Sequence, residues 1–167
     1  MTEHEGAGGE APPAIAARFG HVNITSHDWR RLAAFYTDVL GCRLVPPERD
    51  IRGPVLDSAT GLTDAHLTGA HLRLPGLGDS GPTLEIFSYE ALADAPAPRV
   101  DRAGLGHLAF AVPDVAAALD AVLGGGGGRI GEIVTTATAD GRRVTWVYAT
   151  DPDGNIIELQ AWSAAPT

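Results

Sequence analysis

The chain is expected to fold as an α+β protein made of two βαβββ modules, and three observations lead there. Short apolar-alternating segments bounded by Gly, Pro and Asp recur along it. One segment of helical apolar spacing follows the first strand segment of each half. The order strand, helix and three strands then occurs twice, which places the halves against each other around a shared core.

Residues 1–17, MTEHEGAGGEAPPAIAA, combine Gly, Ala, Pro and Glu without apolar periodicity, a composition that does not offset its own ordering entropy, and are expected to form a mobile tail. Pattern begins at Arg18. FGHVNIT alternates as a strand, and Asp28 is placed to cap a helix carrying Trp29, Leu32, Ala33, Phe35, Tyr36, Val39 and Leu40 on one face, which Gly41 ends. CRLVPP, HLTGAHLRLP and PTLEIFSY supply three further strands. In the second half GLGHLAFAV reads as a strand, Pro113 and Asp114 open a helix through VAAALDAVL, and Gly124 to Gly128 stop it. RIGEIV, RVTWVYAT and NIIELQAW complete the set. An ungapped overlay of the halves superposes Gly20-His21 on Gly106-His107 and, at the same offset, Asp28 on Asp114. One domain over 18–162 follows, with modules 18–90 and 104–162, a short tail at 163–167, and the segment from about Glu48 to Ala65 as the main asymmetry.

Composition narrows the function. At 167 residues the chain has room for one core, and 44% hydrophobic with 20% charged residues is ordinary for a soluble domain. A membrane span and a secretory leader are not expected, and the lone Cys42 excludes an internal disulfide, which together point to the cytoplasm. All twelve basic residues are arginine, so no lysine exists for a Schiff base. A net charge of −9 with scattered arginines disfavours nucleic acid, whose binding draws on clustered positive charge. The Ala, Gly, Pro and Arg excess suits a GC-rich bacterial genome.

The chemistry sits at repeat-equivalent positions, the middle of the first and last strands of each module: His21 and Glu85, then His107 and Glu158. Because alternate strand residues share a face, Val22 and Ile24 oppose His21, Leu108 and Phe110 oppose His107, and the apolar flanks of Glu85 and Glu158 oppose the carboxylates. Four ionisable groups on one sheet face are costly unless paired or metal-bound. Two imidazoles with two carboxylates suit one divalent ion, with Zn, Ni, Co, Mn and Fe all compatible. Asn23, Thr25 and Gln160 fall on the same faces, and His71 and Arg73 share a face of the third strand from which an anionic substrate is reachable. Trp146 and Tyr148 are assigned to the core, with pocket lining as the alternative. His27 and His66 are assigned to solvent beside turns, and Cys42 to packing. The glycine run lacks the Lys and Ser/Thr of a phosphate loop.

FYTDVLGCRL after GHVNIT, GHLAFAVPD at the start of the second half, and DPDGNIIELQ near the end resemble the signature segments of the glyoxalase, bleomycin-resistance and extradiol-dioxygenase (vicinal oxygen chelate) superfamily, across about residues 18 to 162. The resemblance implies paired modules whose sheet curls round a metal pocket, with His21, Glu85, His107 and Glu158 at the ligand positions. Antibiotic-sequestering members commonly lack the ligands, and extradiol dioxygenases usually lack a carboxylate at the position of Glu85. The resemblance therefore implies the isomerase, epimerase or glyoxalase-type lyase branch, acting on a small carbonyl substrate and including ketone epimerases of specialised metabolism. An Fe(II) or Mn(II) dioxygenase and an antibiotic-binding protein are the alternatives. In the leading reading Glu158 or Glu85 moves a proton at the carbon beside the carbonyl. A homodimer is expected.

Overall fold

A computed structural model of the chain describes residues 15–93 and 96–164. The expected tails fall partly outside these residues: of 1–17 only Ile15, Ala16 and Ala17 are described, and of 163–167 only Ser163 and Ala164. The elements are β1 (His21–Thr25), α1 (Trp29–Asp38), β2 (Arg43–Arg52), α2 (Pro54–Thr60), β3 (His66–Arg73), β4 (Thr83–Tyr89), β5 (Leu108–Ala111), α3 (Val115–Gly124), β6 (Gly128–Arg129), β7 (Val134–Ala137), β8 (Arg143–Thr150) and β9 (Ile156–Ser163). The α+β class and the doubled strand–helix–strands order are those read from the sequence.

Both helices start where the Asp residues predict. The Asp28 carboxylate accepts from the Arg31 N–H, and Asp114 accepts from the N–H groups of Ala116 and Ala117, satisfying donors that a first turn leaves open. Asp114→Ala should therefore lower stability by about 1 kcal/mol, checked by urea denaturation. Each helix then lays its apolar stripe on its own sheet: Leu32, Phe35 and Tyr36 from α1 pack with Leu72, Leu84 and Ile86, and Leu119 and Val122 from α3 with Val147, Ile157 and Leu159.

The strands form two sheets, β1-β4-β3-β2 and β5-β9-β8-β6, with β7 also paired to β8. In each, the module's first strand runs parallel to its last, β1 with β4 and β5 with β9, and the other ladders are antiparallel. Among the described residues no ladder joins the sheets, so the one curled mixed sheet expected is instead two separate mixed sheets. Three sequence expectations are refined. RIGEIV splits into β6 and β7, both on β8, because Gly131 to Ile133 leave the ladder. β2 runs on past Pro47 to Arg52 through a bulge between Val45 and Arg49, where the prolines cannot donate to β3. The asymmetric segment 48–65 carries the short helix α2.

The modules are held together through α1 and the turn before β9. The Tyr36 ring lies 6.3 Å from Phe110, and its hydroxyl donates to Asp151 at 3.0 Å. Ser26 and Arg31 both reach Asp153. Behind them, α1 approaches the end of α3 so closely that a Cβ on Gly125 would stand 2.7 Å from Val39. One continuous core spans both modules, as the duplication implies.

Candidate functional site

β-Pairing decides which side chains share the face turned away from the helices. On β4, Leu84 and Ile86 face α1, so Glu85 and Phe87 face outward; on β3, Leu72 and Ala70 face the core, so His71 and Gly69 face outward. Asn23 and His71 are the cross-strand neighbours of Glu85 on either side. In the second module Ala109 and Tyr148 flank Glu158 in the same register. The repeat thus extends beyond the four residues read from the sequence: His71 and Tyr148 are equivalent, each standing beside its module's carboxylate.

In the first module Glu85, 8% exposed, lies between two imidazoles, 3.5 Å from His21 Nδ1 and 3.3 Å from His71 Nε2. Burial holds the His71 imidazole below its ordinary range, opposed by the Glu85 charge and reinforced by the nearby Arg49 guanidinium. In the second module His107 Nε2 is 3.1 Å from Glu158, and the His107 ring is 5.1 Å from Tyr148. His107 itself stands one residue ahead of β5, on the approach to the strand. Tyr148 in turn meets Trp146 edge-on at 5.1 Å. Both aromatics lie on this face and not in the core, where their strand spacing had placed them. Periodicity is blind to the choice here, because the strand alternates aromatic residues with the small or branched Val147 and Ala149, and either set is apolar.

The remaining predicted residues divide. Asn23 and Thr25 stay exposed on β1, hydrogen-bonded to each other at 3.3 Å. Gln160 accepts from the Trp162 indole at 2.7 Å. Arg73 donates to the Gly81 carbonyl at 2.7 Å, which ties down the connection between β3 and β4. His66 differs from its solvated assignment: it stands between Asp50 and Glu90 with Arg52 against its ring. Cys42 is buried as packing, and burial pushes its thiol up to about 11.

The two half-sites are not brought together. Among the described residues no group of three or more His, Cys, Asp or Glu stands at metal-holding spacing. Asn23 and Thr25 share a cavity of about 180 Å³ with His107, whereas Val22 shares another with Ala109, Phe110 and Ala111. His107 thus shares its cavity with the Asn23–Thr25 end of β1 and not with His21.

A sequence model of the glyoxalase/bleomycin resistance protein/dioxygenase superfamily matches residues 18–159. The chain belongs to this superfamily. No curated protein matches it in sequence. Solved structures with the superfamily fold include a glyoxalase family protein from Bacillus cereus, at 19% identity and a TM-score of 0.75 over 93% of this chain and 100% of that one. A glyoxalase/bleomycin resistance protein/dioxygenase domain from Frankia sp. EAN1pec follows at 16% identity and a TM-score of 0.54, over 92% and 96%. A superfamily enzyme from Burkholderia phytofirmans PsJN stands at 15% and 0.53, over 87% and 98%. These likenesses establish the fold, and the superfamily holds both enzymes and resistance proteins. Among the described residues no helix is long and apolar enough to cross a membrane.

Proposed function

We propose that the protein is a metal-dependent isomerase, epimerase or glyoxalase-type lyase that chelates a small carbonyl compound and moves a proton at the carbon beside the carbonyl. The observation that carries this reading is Glu85, a buried carboxylate whose partners are the His21 and His71 imidazoles. A carboxylate out of water needs a compensating charge, and a carboxylate between two imidazoles is a donor set that suits a divalent cation. His21 and Glu85 with His107 and Glu158 would hold one divalent ion, drawn from Zn, Ni, Co, Mn and Fe. When bound, such an ion withdraws electron density from a carbonyl oxygen and acidifies the neighbouring C–H. Glu158 or Glu85 would take the proton as general base, and the other carboxyl group, protonated from solvent, would deliver one, to the opposite face for epimerisation or to the adjacent carbon for isomerisation. The carboxylate in each module favours this proton transfer over dioxygenation, since the reaction needs a base on either side of the substrate.

Because no three of these ligands stand at metal-holding spacing among the described residues, we propose that the complete site forms between two copies, the first module of one facing the second module of its partner. Metal analysis of protein isolated without added metal, followed by deuterium-exchange screening of candidate ketones, tests the activity. Mixing tests the assembly. The double variant His21→Ala/Glu85→Gln and the double variant His107→Ala/Glu158→Gln should each bind little metal alone. Co-refolded in equal amounts they should regain about a quarter of the wild-type metal content, since half of the dimers are mixed and each of those has one intact site. No recovery, with each variant folded, would place the four ligands in one chain.

A further inference from the structure

The cross-strand neighbour of each module's carboxylate carries a ring, and an aromatic side chain backs each of those rings. In the first module His71 stands opposite Glu85 and Gly69 opposite Phe87; in the second Tyr148 stands opposite Glu158 and Trp146 opposite Gln160. The backing ring has therefore changed strands between the modules. Phe87, on β4, lies 5.7 Å from the His71 ring centroid, and Trp146, on β8, lies 5.1 Å from that of Tyr148. Gly69 permits the exchange. A Cβ there would lie 2.4 Å from Phe87 Cδ1 and 2.3 Å from the Ile86 carbonyl, so the Phe87 ring occupies the place of a side chain and packs on to His71.

Packing of this kind restricts the rotamers of the imidazole, and a group so restricted can orient another. The group that His71 meets is the Glu85 carboxylate. His21 Nδ1 and His71 Nε2 both approach it through the same oxygen, Oε1, at 3.5 and 3.3 Å. The two imidazoles are unequal, since the His21 side chain is 55% exposed and that of His71 23%. The more enclosed one is suited to fix Oε1 before an ion arrives, which leaves Oε2 for the ion. With His21 and Glu85 it makes no three-residue group at metal-holding spacing, so its part is orientation and not ligation.

We infer that His71 is a positioning residue which, backed by Phe87, holds the Glu85 carboxylate in the orientation that receives a divalent ion. This rests on the proposed metal-dependent site and deepens it. Co(II) is the probe. Its affinity for the full chain, measured by competition with a chromophoric chelator, should fall about 10- to 100-fold in His71→Phe, which keeps a ring against Phe87 and loses the nitrogen. His71→Gln, which returns an amide N–H, should recover most of that loss, and Phe87→Leu should share part of it. The absorption spectrum of the Co(II)-saturated chain should be the same in His71→Phe as in wild type, because no ligand is removed. A second measurement needs no metal. In urea unfolding with chelator present, His71→Phe should lower the folding equilibrium constant by about threefold more in the wild-type background than in Glu85→Gln, the non-additivity of two groups in contact. Thermal melting checks that each variant is folded.

The assignment is overturned if His71→Phe binds Co(II) as wild type does, if Gln recovers nothing, if the saturated spectrum shows a lost nitrogen ligand, or if the two substitutions are additive. Wild type that takes up Co(II) but exchanges deuterium into no ketone would sink the proton-transfer reading and leave His71 in its role. Additivity in urea with exchange intact would do the opposite.

Discussion

Glu158→Gln is expected to lower solvent-deuterium exchange into a ketone substrate by about two to four orders of magnitude, the range of a positioned general base. The amide keeps the length and shape of the side chain and one oxygen acceptor, so part of the metal should be retained. What it loses is the basic oxygen. The carboxylate stands 3.1 Å from His107 and beside Tyr148, so the replacement also leaves the imidazole a neutral partner. Measuring exchange and metal content on the same preparation separates the roles: exchange lost with metal retained identifies the base, and exchange lost in proportion to metal identifies a ligand only. Exchange at the wild-type rate would transfer the role to Glu85, where the same substitution repeats the test. Glu85 is more enclosed and lies between two imidazoles, so Glu85→Gln should cost more metal than Glu158→Gln.

Asp151→Ala should destabilise the fold by about 3 to 5 kcal/mol, the cost of stranding buried hydrogen-bond donors. Asp151 is 1% exposed and receives four of them: the Tyr36 hydroxyl at 3.0 Å, the Asn155 side-chain amide at 2.9 Å, and the backbone N–H groups of Asp153 and Asn155, each at 2.9 Å. Burial raises its carboxyl above the ordinary range even so, with those donors opposing the shift. The same burial, with Asp151 beside it, holds the Tyr36 phenol well above its usual range, so the hydroxyl remains a donor. Asn at this position supplies one acceptor oxygen where two are used and places an N–H₂ against donors, so Asp151→Asn should fall between wild type and Ala. Denaturant unfolding followed by tryptophan fluorescence gives the order. Since Tyr36 belongs to the first module and Asp151 to the second, loss of cooperativity in Asp151→Ala would further identify this contact as the coupling between them.

The faces that carry the two carboxylates were legible in the sequence. Strand alternation sufficed to put Glu85 and Glu158 on the face away from the helices, because Leu84, Ile86, Ile157 and Leu159 beside them have nowhere to go but the core. Asp28 and Asp114 announced their helices because capping is a local interaction between a side chain and N–H groups two or three residues on. Less legible was Tyr148, whose equivalence to His71 depends on which residue of β8 stands opposite Glu158. Register of this kind is set across a ladder between segments that are apart in sequence. His66 escaped for the same reason, since Asp50 and Glu90 reach it from neighbouring strands.

The sequence by itself determined the α+β class, the doubled module, the identity of the paired imidazoles and carboxylates and the face they occupy. Each follows from residue type and short-range periodicity. The tertiary structure decided that His21 with Glu85 and His107 with Glu158 are two separate half-sites, one flanked by Arg49 and the other by Trp146 and Tyr148. The modules meet through the Tyr36–Asp151 hydrogen bond and the cavity that Asn23 and Thr25 share with His107. These contacts join residues more than eighty positions apart, where no local pattern carries the information.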